Sequence, residues 1–230
     1  LDLIDSAEGI TGFITEVTLR VQPAEEMDVI AIGCPEADGI QHIAQSVIDK
    51  KLPIWSVLFI NPRMAQLKNE VPLREHLGHA AEARVLLPSA YIGVLAFRRK
   101  DRAVIMAALD EIMKPCKAEF LSDEIAKHEW ENRFKIMVVK RLGPSLVPAE
   151  VVVPLANLGK VMKEIEIKVG QPVVKEGVVI KNSRNGRPEV VILGFIPSDQ
   201  RKFSYTFVFG LTLTITKIAE KYGGRPYSTG

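Results

Sequence analysis

The stretch Met27-Asp28-Val29-Ile30-Ala31-Ile32-Gly33-Cys34, followed by Glu36 to Lys50 and then by Pro53-Ile54-Trp55-Ser56-Val57-Leu58-Phe59-Ile60, decides how this chain folds. Its two ends are apolar runs of strand length. Between them Ile40, Ile43, Ala44, Val47 and Ile48 recur at the intervals that place side chains on one face of a helix. Asn61-Pro62 then breaks the second strand, because proline has no amide hydrogen for a ladder and restricts the residue before it. Further on, a polar and helical connection is expected as far as Pro88, then a third strand at Ala90 to Phe97. A helix with Ile105, Ala108, Leu109, Ile112 and Met113 on one face follows, and Lys117 to Leu121 is the fourth strand. The order is βαββαβ, the split βαβ or ferredoxin-like plan.

The same order starts again after a linking helix from about Asp123 to Arg141, which Leu142-Gly143-Pro144-Ser145 stops. Val147 to Val153 is a strand, and Leu155, Leu158, Met162 and Ile165 mark a helix. Pro172 to Lys181 and Pro188 to Ile196 are two strands split by Asn182-Ser183-Arg184-Asn185-Gly186. The last helix carries Leu211, Ile215, Ile218, Ala219 and Tyr222 and stops at Gly223-Gly224. The expectation is an α+β chain of two ferredoxin-like halves with antiparallel sheets. Residues 24–122 form the first, and 123–230 form the linking helix and a second half truncated at its C-terminus. Element order alone supports the duplication, since the halves share no evident sequence identity. In the strand order 4-1-3-2 the end of the first strand lies beside the start of the fourth. Cys34 and Cys116 should therefore come within disulfide reach, about 4.4 to 6.8 Å between Cα atoms.

A formal charge of +2, from 30 basic and 28 acidic residues, gives no electrostatic case for nucleic acid as a partner. No apolar run approaches the roughly 18 residues of a membrane span, and the N-terminus lacks the pattern of a signal peptide. A cytoplasmic protein without a membrane span is expected. Two cysteines are too few for a disulfide scaffold and suit a reducing compartment. Nucleophile elbow, Walker loop and paired-cysteine zinc motif are all missing.

At the start of the chain, Ser6-Ala7-Glu8-Gly9-Ile10-Thr11-Gly12-Phe13-Ile14-Thr15-Glu16-Val17 sets two glycines before an alternating strand. Such a turn lets backbone amides approach a flat or anionic ligand. It resembles the end of the FAD-binding domain in FAD-linked oxidases of the glycolate oxidase and D-lactate dehydrogenase type, where Gly-Ser-Glu-Gly-x-x-Gly-Ile-Ile-Thr-Glu precedes the last strand. Ser6-Ala7 replaces Gly-Ser, while Glu8, Gly9, Gly12, Ile14, Thr15 and Glu16 match. The resemblance implies that residues 1–23 end an FAD-binding domain and that the rest is the substrate-side domain of an enzyme oxidising a small organic acid or alcohol. Gly9, Gly12 and Ile14 would then contact FAD, and an electron-transfer protein is a possible partner. A chain opening on Leu1 reads as a fragment, inactive without the remainder of the flavin domain.

Trp130-Glu131-Asn132-Arg133 resembles the Trp-x-x-Arg of related dehydrogenases, in which arginine holds the substrate carboxylate. The planar guanidinium suits that task because it donates two parallel hydrogen bonds to one carboxylate. The alternative is an ion pair of Arg133 with Glu129 or Glu131 on an exposed helix face. The family's metal stretch, Gly-His-x-Gly-Asp-Gly-Asn-x-His with a later Glu-His-Gly, falls on Leu193 to Arg201 and on Tyr222 to Gly230. Neither segment holds a histidine, so no divalent metal is expected. Arg201 and Tyr205, standing in the place of that loop, become candidates for substrate binding, and Asp199 is either a neighbour of theirs or a cap for the last helix. His42, His76, His79 and His128 read as solvated surface. The rival to an oxidase is a non-enzymatic ligand-binding or interaction module, since a ferredoxin-like fold serves many functions.

Overall fold

The computed structural model describes residues 12–13, 15–19, 21, 23–73, 75–76, 79–80, 84–135, 138–142, 145–170, 173–180 and 186–227. The first half runs β1 (Met27–Cys34), α1 (Ala37–Asp49), β2 (Ile54–Ile60), α2 (Pro62–Glu70), β3 (Tyr91–Arg98), α3 (Arg102–Met113) and β4 (Glu119–Phe120). After α4 (Asp123–Glu131) the second half runs β5 (Ser145–Pro154), α5 (Leu158–Val169), β6 (Val173–Ile180), β7 (Glu189–Ser198), α6 (Tyr205–Lys221) and β8 (Arg225–Pro226).

The strands lie in the order β8-β5-β7-β6-β2-β3-β1-β4, and every ladder is antiparallel. Each half therefore has the strand order 4-1-3-2. The antiparallel sheets expected of the two halves are present and are joined edge to edge into one sheet of eight strands. The cause is that the second strand of each half is an edge with unpaired amides and carbonyls, and the two edges satisfy one another. The seam pairs Leu58 with Val178 and Phe59 with Gly177. Gly177 is required there, since a Cβ at that position would stand 2.0 Å from Phe59 Cε1.

One face of the sheet carries the main core. Ile32, Phe59, Phe97, Val151, Val153 and Ile192 from the strands meet Ile105 and Leu109 of α3, Leu158 and Met162 of α5, and Ile218 of α6. The other face is covered over the first half, where Ala31, Ile60, Ile92 and Val94 pack with Met64 of α2 and Ala126 of α4. The turn Val138–Leu142 joins this second cluster through Val139, beside Leu146 and Phe195. Among the described residues the second half has no helix of its own on that side.

Three local departures have physical causes. The expected linking helix ends at Glu131, because Asn132 Nδ2 donates back to the His128 carbonyl at 2.8 Å and the chain turns. The connection after β2 is a nine-residue helix followed by a short ladder of Glu75–His76 with His79–Ala80. Beyond α6, Gly223 adopts a positive φ of 77°, which returns the chain so that Arg225 and Pro226 pair with Val152 and Val151 as a fourth strand. Cys34 and Cys116 meet at Gly39, where a Cβ would lie 3.0 Å from Cys34 Cβ and 3.5 Å from Cys116 Cβ. Both are free thiols.

Candidate functional site

Two helix starts aim the side chains of the covered face. At α2 the buried Asn61 side chain accepts from Met64 N at 3.0 Å, and Pro62 takes the first helical position, where no amide hydrogen is needed. At α4 Ser122 accepts from Ile125 N at 3.3 Å. Lys68 from α2 and Glu129 from α4 then meet, with Nζ 2.5 Å from Oε2 and 2.7 Å from Oε1 and side-chain exposures of 13% and 5%. His128 Nδ1 lies 3.0 Å from Glu129 Oε1. Burial favours the neutral acid, yet the His128 hydrogen bond and the Lys68 ammonium outweigh it and hold the Glu129 carboxyl below its ordinary value.

Arg133 sits in the turn that follows α4. Its guanidinium carbon is 3.8 Å from the centroid of the Trp130 ring and 4.4 Å from that of Phe134, and Nη1 donates to the Trp130 carbonyl. Trp130 in turn meets Trp55 edge-on at 6.1 Å. Ring faces attract a cation, so the two aromatics hold the guanidinium in place while leaving most of its donors unused. The alternative ion pairs are not formed: Glu129 is occupied by Lys68 and His128, and Glu131 faces Lys127 at 3.9 Å.

Arg133 borders a small hollow on the sheet, with about 30 Å³ of free space, floored by Leu58, Ile60, Ile92 and Val94. Lys68, Asn132 and Lys135 form a wall shared with a larger cleft of about 370 Å³, lined by His128, Val71, Leu73, Arg84, Lys127 and Arg141 among others. The hollow, which Glu129 also lines, is water-sized, so an organic anion can meet its cationic rim only with its body in the larger cleft.

Arg201 and Tyr205 are not part of this group. Arg201 is gripped by Asp199, with Nε to Oδ1 at 2.9 Å and Nη2 to Oδ2 at 3.0 Å, and this pairing holds the Asp199 carboxyl down to about 2. Asp199 does not cap α6. The cap position belongs to Ser204, and Asp199 Oδ1 instead accepts from Arg201 N at 3.1 Å. Tyr205 packs edge-on against Phe209 at 5.4 Å. Of the residues expected to contact FAD, Gly9 and Ile14 lie outside the described residues. Gly12 is exposed, and a Cβ there would meet nothing within 4 Å. Phe13, Val17, Leu19 and Val21 are also exposed, an alternating apolar row that pairs with no strand among the described residues.

Lys68, His128, Glu129, Asn132 and Lys135 were not singled out from the sequence as site residues. One signal was present: Glu129 follows the buried Ala126 by three positions, which puts a carboxylate on the apolar face of α4. Lys68 likewise follows the buried Met64 by four. His42, read as surface, ties α1 to α3 by donating from Nε2 to the Ile112 carbonyl at 3.1 Å. Among the described residues no three His, Cys, Asp or Glu side chains gather as metal ligands, and no helix is long and apolar enough to cross a membrane.

The fold is similar to that of part of larger solved enzyme structures. One such solved structure is 4-ethylphenol oxidase from Gulosibacter chungangensis in complex with isoeugenol, with a TM-score of 0.63 and 13% identity over 90% of this chain and 46% of that one. Another is alkyldihydroxyacetonephosphate synthase, with TM-scores of 0.59 and 0.54 in two crystal forms. Identities there are 14% and 13%, over 89% and 87% of this chain and 40% of the synthase. At such identities the likeness is one of fold, and the chain spans less than half the length of these enzymes. No family model and no curated protein matches the sequence.

Proposed function

We propose that this chain is the substrate-side domain of a longer FAD-linked oxidoreductase acting on a small organic acid or alcohol, with residues 1–23 as the end of its FAD-binding domain. The observation that carries this reading is Arg133, clamped between two rings beside an apolar hollow, in a chain with the oxidase fold. FAD, when bound, supplies the acceptor for the substrate's electrons. The chain's own residues bind and orient. Arg133 takes the carboxylate on its free donors, Lys135 adds charge at the rim, and Leu58, Ile92 and Val94 exclude water beneath the ligand. The exposed backbone at Gly12 fits a segment against which a flat ring system can lie. Arg201 and Tyr205 stay candidates in the second half, on condition that the Asp199–Arg201 pair opens to the ligand.

The test is to purify the full-length polypeptide and mix it with lactate, glycolate and their longer homologues. Flavin absorbance that bleaches on mixing is expected. Replacing Arg133 by Lys, which removes the fork, should weaken acid binding by roughly 10- to 100-fold, the equivalent of one charged hydrogen bond of about 1.5–3 kcal/mol. A colourless protein that cannot be reconstituted with FAD would end the oxidase reading and leave a ligand-binding module in its place.

A further inference from the structure

Joining α2 to α4 by an ion pair needs only Lys68 and Glu129, yet His128 is held in the same cluster. A carboxylate only accepts hydrogen bonds, so the 3.0 Å contact between His128 Nδ1 and Glu129 Oε1 places the proton on Nδ1. In the neutral ring the lone pair is then on Nε2. Nε2 has no hydrogen-bond partner among the described residues, and the imidazole, with 29% of its side chain exposed, lines the cleft of about 370 Å³. Glu129 cannot swing away, because it is buried and Lys68 Nζ bonds both of its oxygens. The ring is thus held in one tautomer and turned toward a space large enough for a small substrate.

We propose that His128 Nε2 accepts the hydroxyl proton of the substrate, with Glu129 and Lys68 as the residues that position it. This rests on the oxidase reading above. Oxidation of an alcohol to a carbonyl breaks one C–H and one O–H bond. With FAD held by the intact enzyme, the C–H electron pair would leave with its hydrogen as hydride to the flavin, the O–H proton would pass to Nε2, and the oxygen's electrons would close the C=O bond. The resulting imidazolium is stabilised by Glu129, as in other carboxylate–histidine pairs. Among the described residues His128 is the imidazole that lines the cleft. Arg84, Lys127 and Lys135 on the cleft wall favour a substrate that also carries an acid group.

Two measurements test this. In the histidine-labelled chain, ¹⁵N shifts should show His128 protonated at Nδ1. The Lys68→Met/Glu129→Leu double variant, which removes both charges together, should release the ring to a mixture of tautomers. In the full-length flavoprotein, His128→Ala should slow flavin reduction in a single turnover by roughly 10²- to 10⁴-fold, the usual contribution of a general base. Substrate affinity should change by less than about threefold, within the scatter of a group that acts on the chemical step. Added imidazole should restore part of the rate, which a structural role would not predict. An Nε2-protonated ring, an unchanged reduction rate or a failure of imidazole rescue overturns the inference while leaving the oxidase reading intact. If no acid or alcohol bleaches the wild-type flavin, the oxidase reading itself falls and takes the inference with it.

Discussion

Replacing Gly177 by Ala sets two effects of opposite sign against each other at the seam between the halves. Alanine is intrinsically better than glycine within a strand by roughly 0.5–1 kcal/mol, so propensity alone predicts stabilisation. The packing predicts the reverse. The added Cβ would lie 2.0 Å from Phe59 Cε1, 2.3 Å from Cζ and 2.6 Å from Cδ1, where ordinary contact begins at 3.4 Å, a shortfall of 3.4 − 2.0 = 1.4 Å. Phe59 is 1% exposed and belongs to the main core, so its ring cannot retreat without displacing other side chains. Overpacking of this kind costs about 1–3 kcal/mol. An overlap of this depth falls in the upper part of that range, about 2–3 kcal/mol; less the propensity gain, and at about 2–4 °C per kcal/mol in a chain of this size, the expected fall in Tm is about 2–10 °C. Thermal unfolding followed by circular dichroism measures it. In a Phe59→Leu background the shorter side chain frees the space, and Gly177→Ala should cost at least about 1 kcal/mol less there than in the wild type, as coupled neighbours do. An unchanged or raised Tm for Gly177→Ala alone would falsify the account of the seam.

Lys68→Met should destabilise by about 3–5 kcal/mol in urea titrations, because it leaves Glu129 buried without its cation, whereas Lys68→Met/Glu129→Leu should stay nearer the wild type. The folded Glu129 carboxyl is held below its unfolded value, so its contribution is present above the ordinary Glu range near pH 4.3 and is lost as pH falls through the lower folded value. Glu129→Gln should accordingly flatten the acid side of the stability profile, and an unchanged slope there would count against the ion pair. Burial, with Cys116 nearby, pushes the Cys34 thiol up to about 12, while burial raises the partly exposed Cys116 thiol as well; iodoacetamide at pH 8 should therefore label Cys116 slowly and spare the buried Cys34, and comparable labelling by mass spectrometry would contradict this. Gly12→Val should lower flavin content in the full-length protein, with absorbance ratios as the readout and full occupancy as the adverse result.

The βαββαβ order was legible because apolar spacing reports helix faces and strand runs directly: Ile40, Ile43, Ala44 and Val47 are buried on α1, and Ile105, Leu109, Ile112 and Met113 on α3. The fusion of the two sheets was not. It depends on Phe59 meeting Gly177 across 118 positions of sequence, and a lone glycine in an apolar strand carries no sign of the ring it admits. Arg133 could be found from Trp130-Glu131-Asn132-Arg133, but what holds it could not, since Phe134 and the end of α4 depend on a turn that helix propensity does not foresee. Lys68 and Glu129 are 61 positions apart, so the pairing that turns a surface-looking His128 into an oriented ring appears only once α2 and α4 lie side by side.

The placement of the strands also governs how the molecule meets its neighbours in a crowded solution. A long, flat edge offers a template on which another chain can extend the sheet. A single half would present the outer edge of β2 or β6, runs of seven and eight residues. In the joined sheet those edges face one another, and the rims pass to β4 and β8, each two residues long. Pro226 has no amide hydrogen to offer, and next to each rim strand the backbone amide is turned inward, Leu121 N donating to the Ala31 carbonyl at 2.9 Å and Tyr227 N to that of Glu150 at 3.0 Å. Either half expressed alone should therefore pair with a second copy of itself through its bare second strand, and the duplicated chain makes that pairing within one molecule.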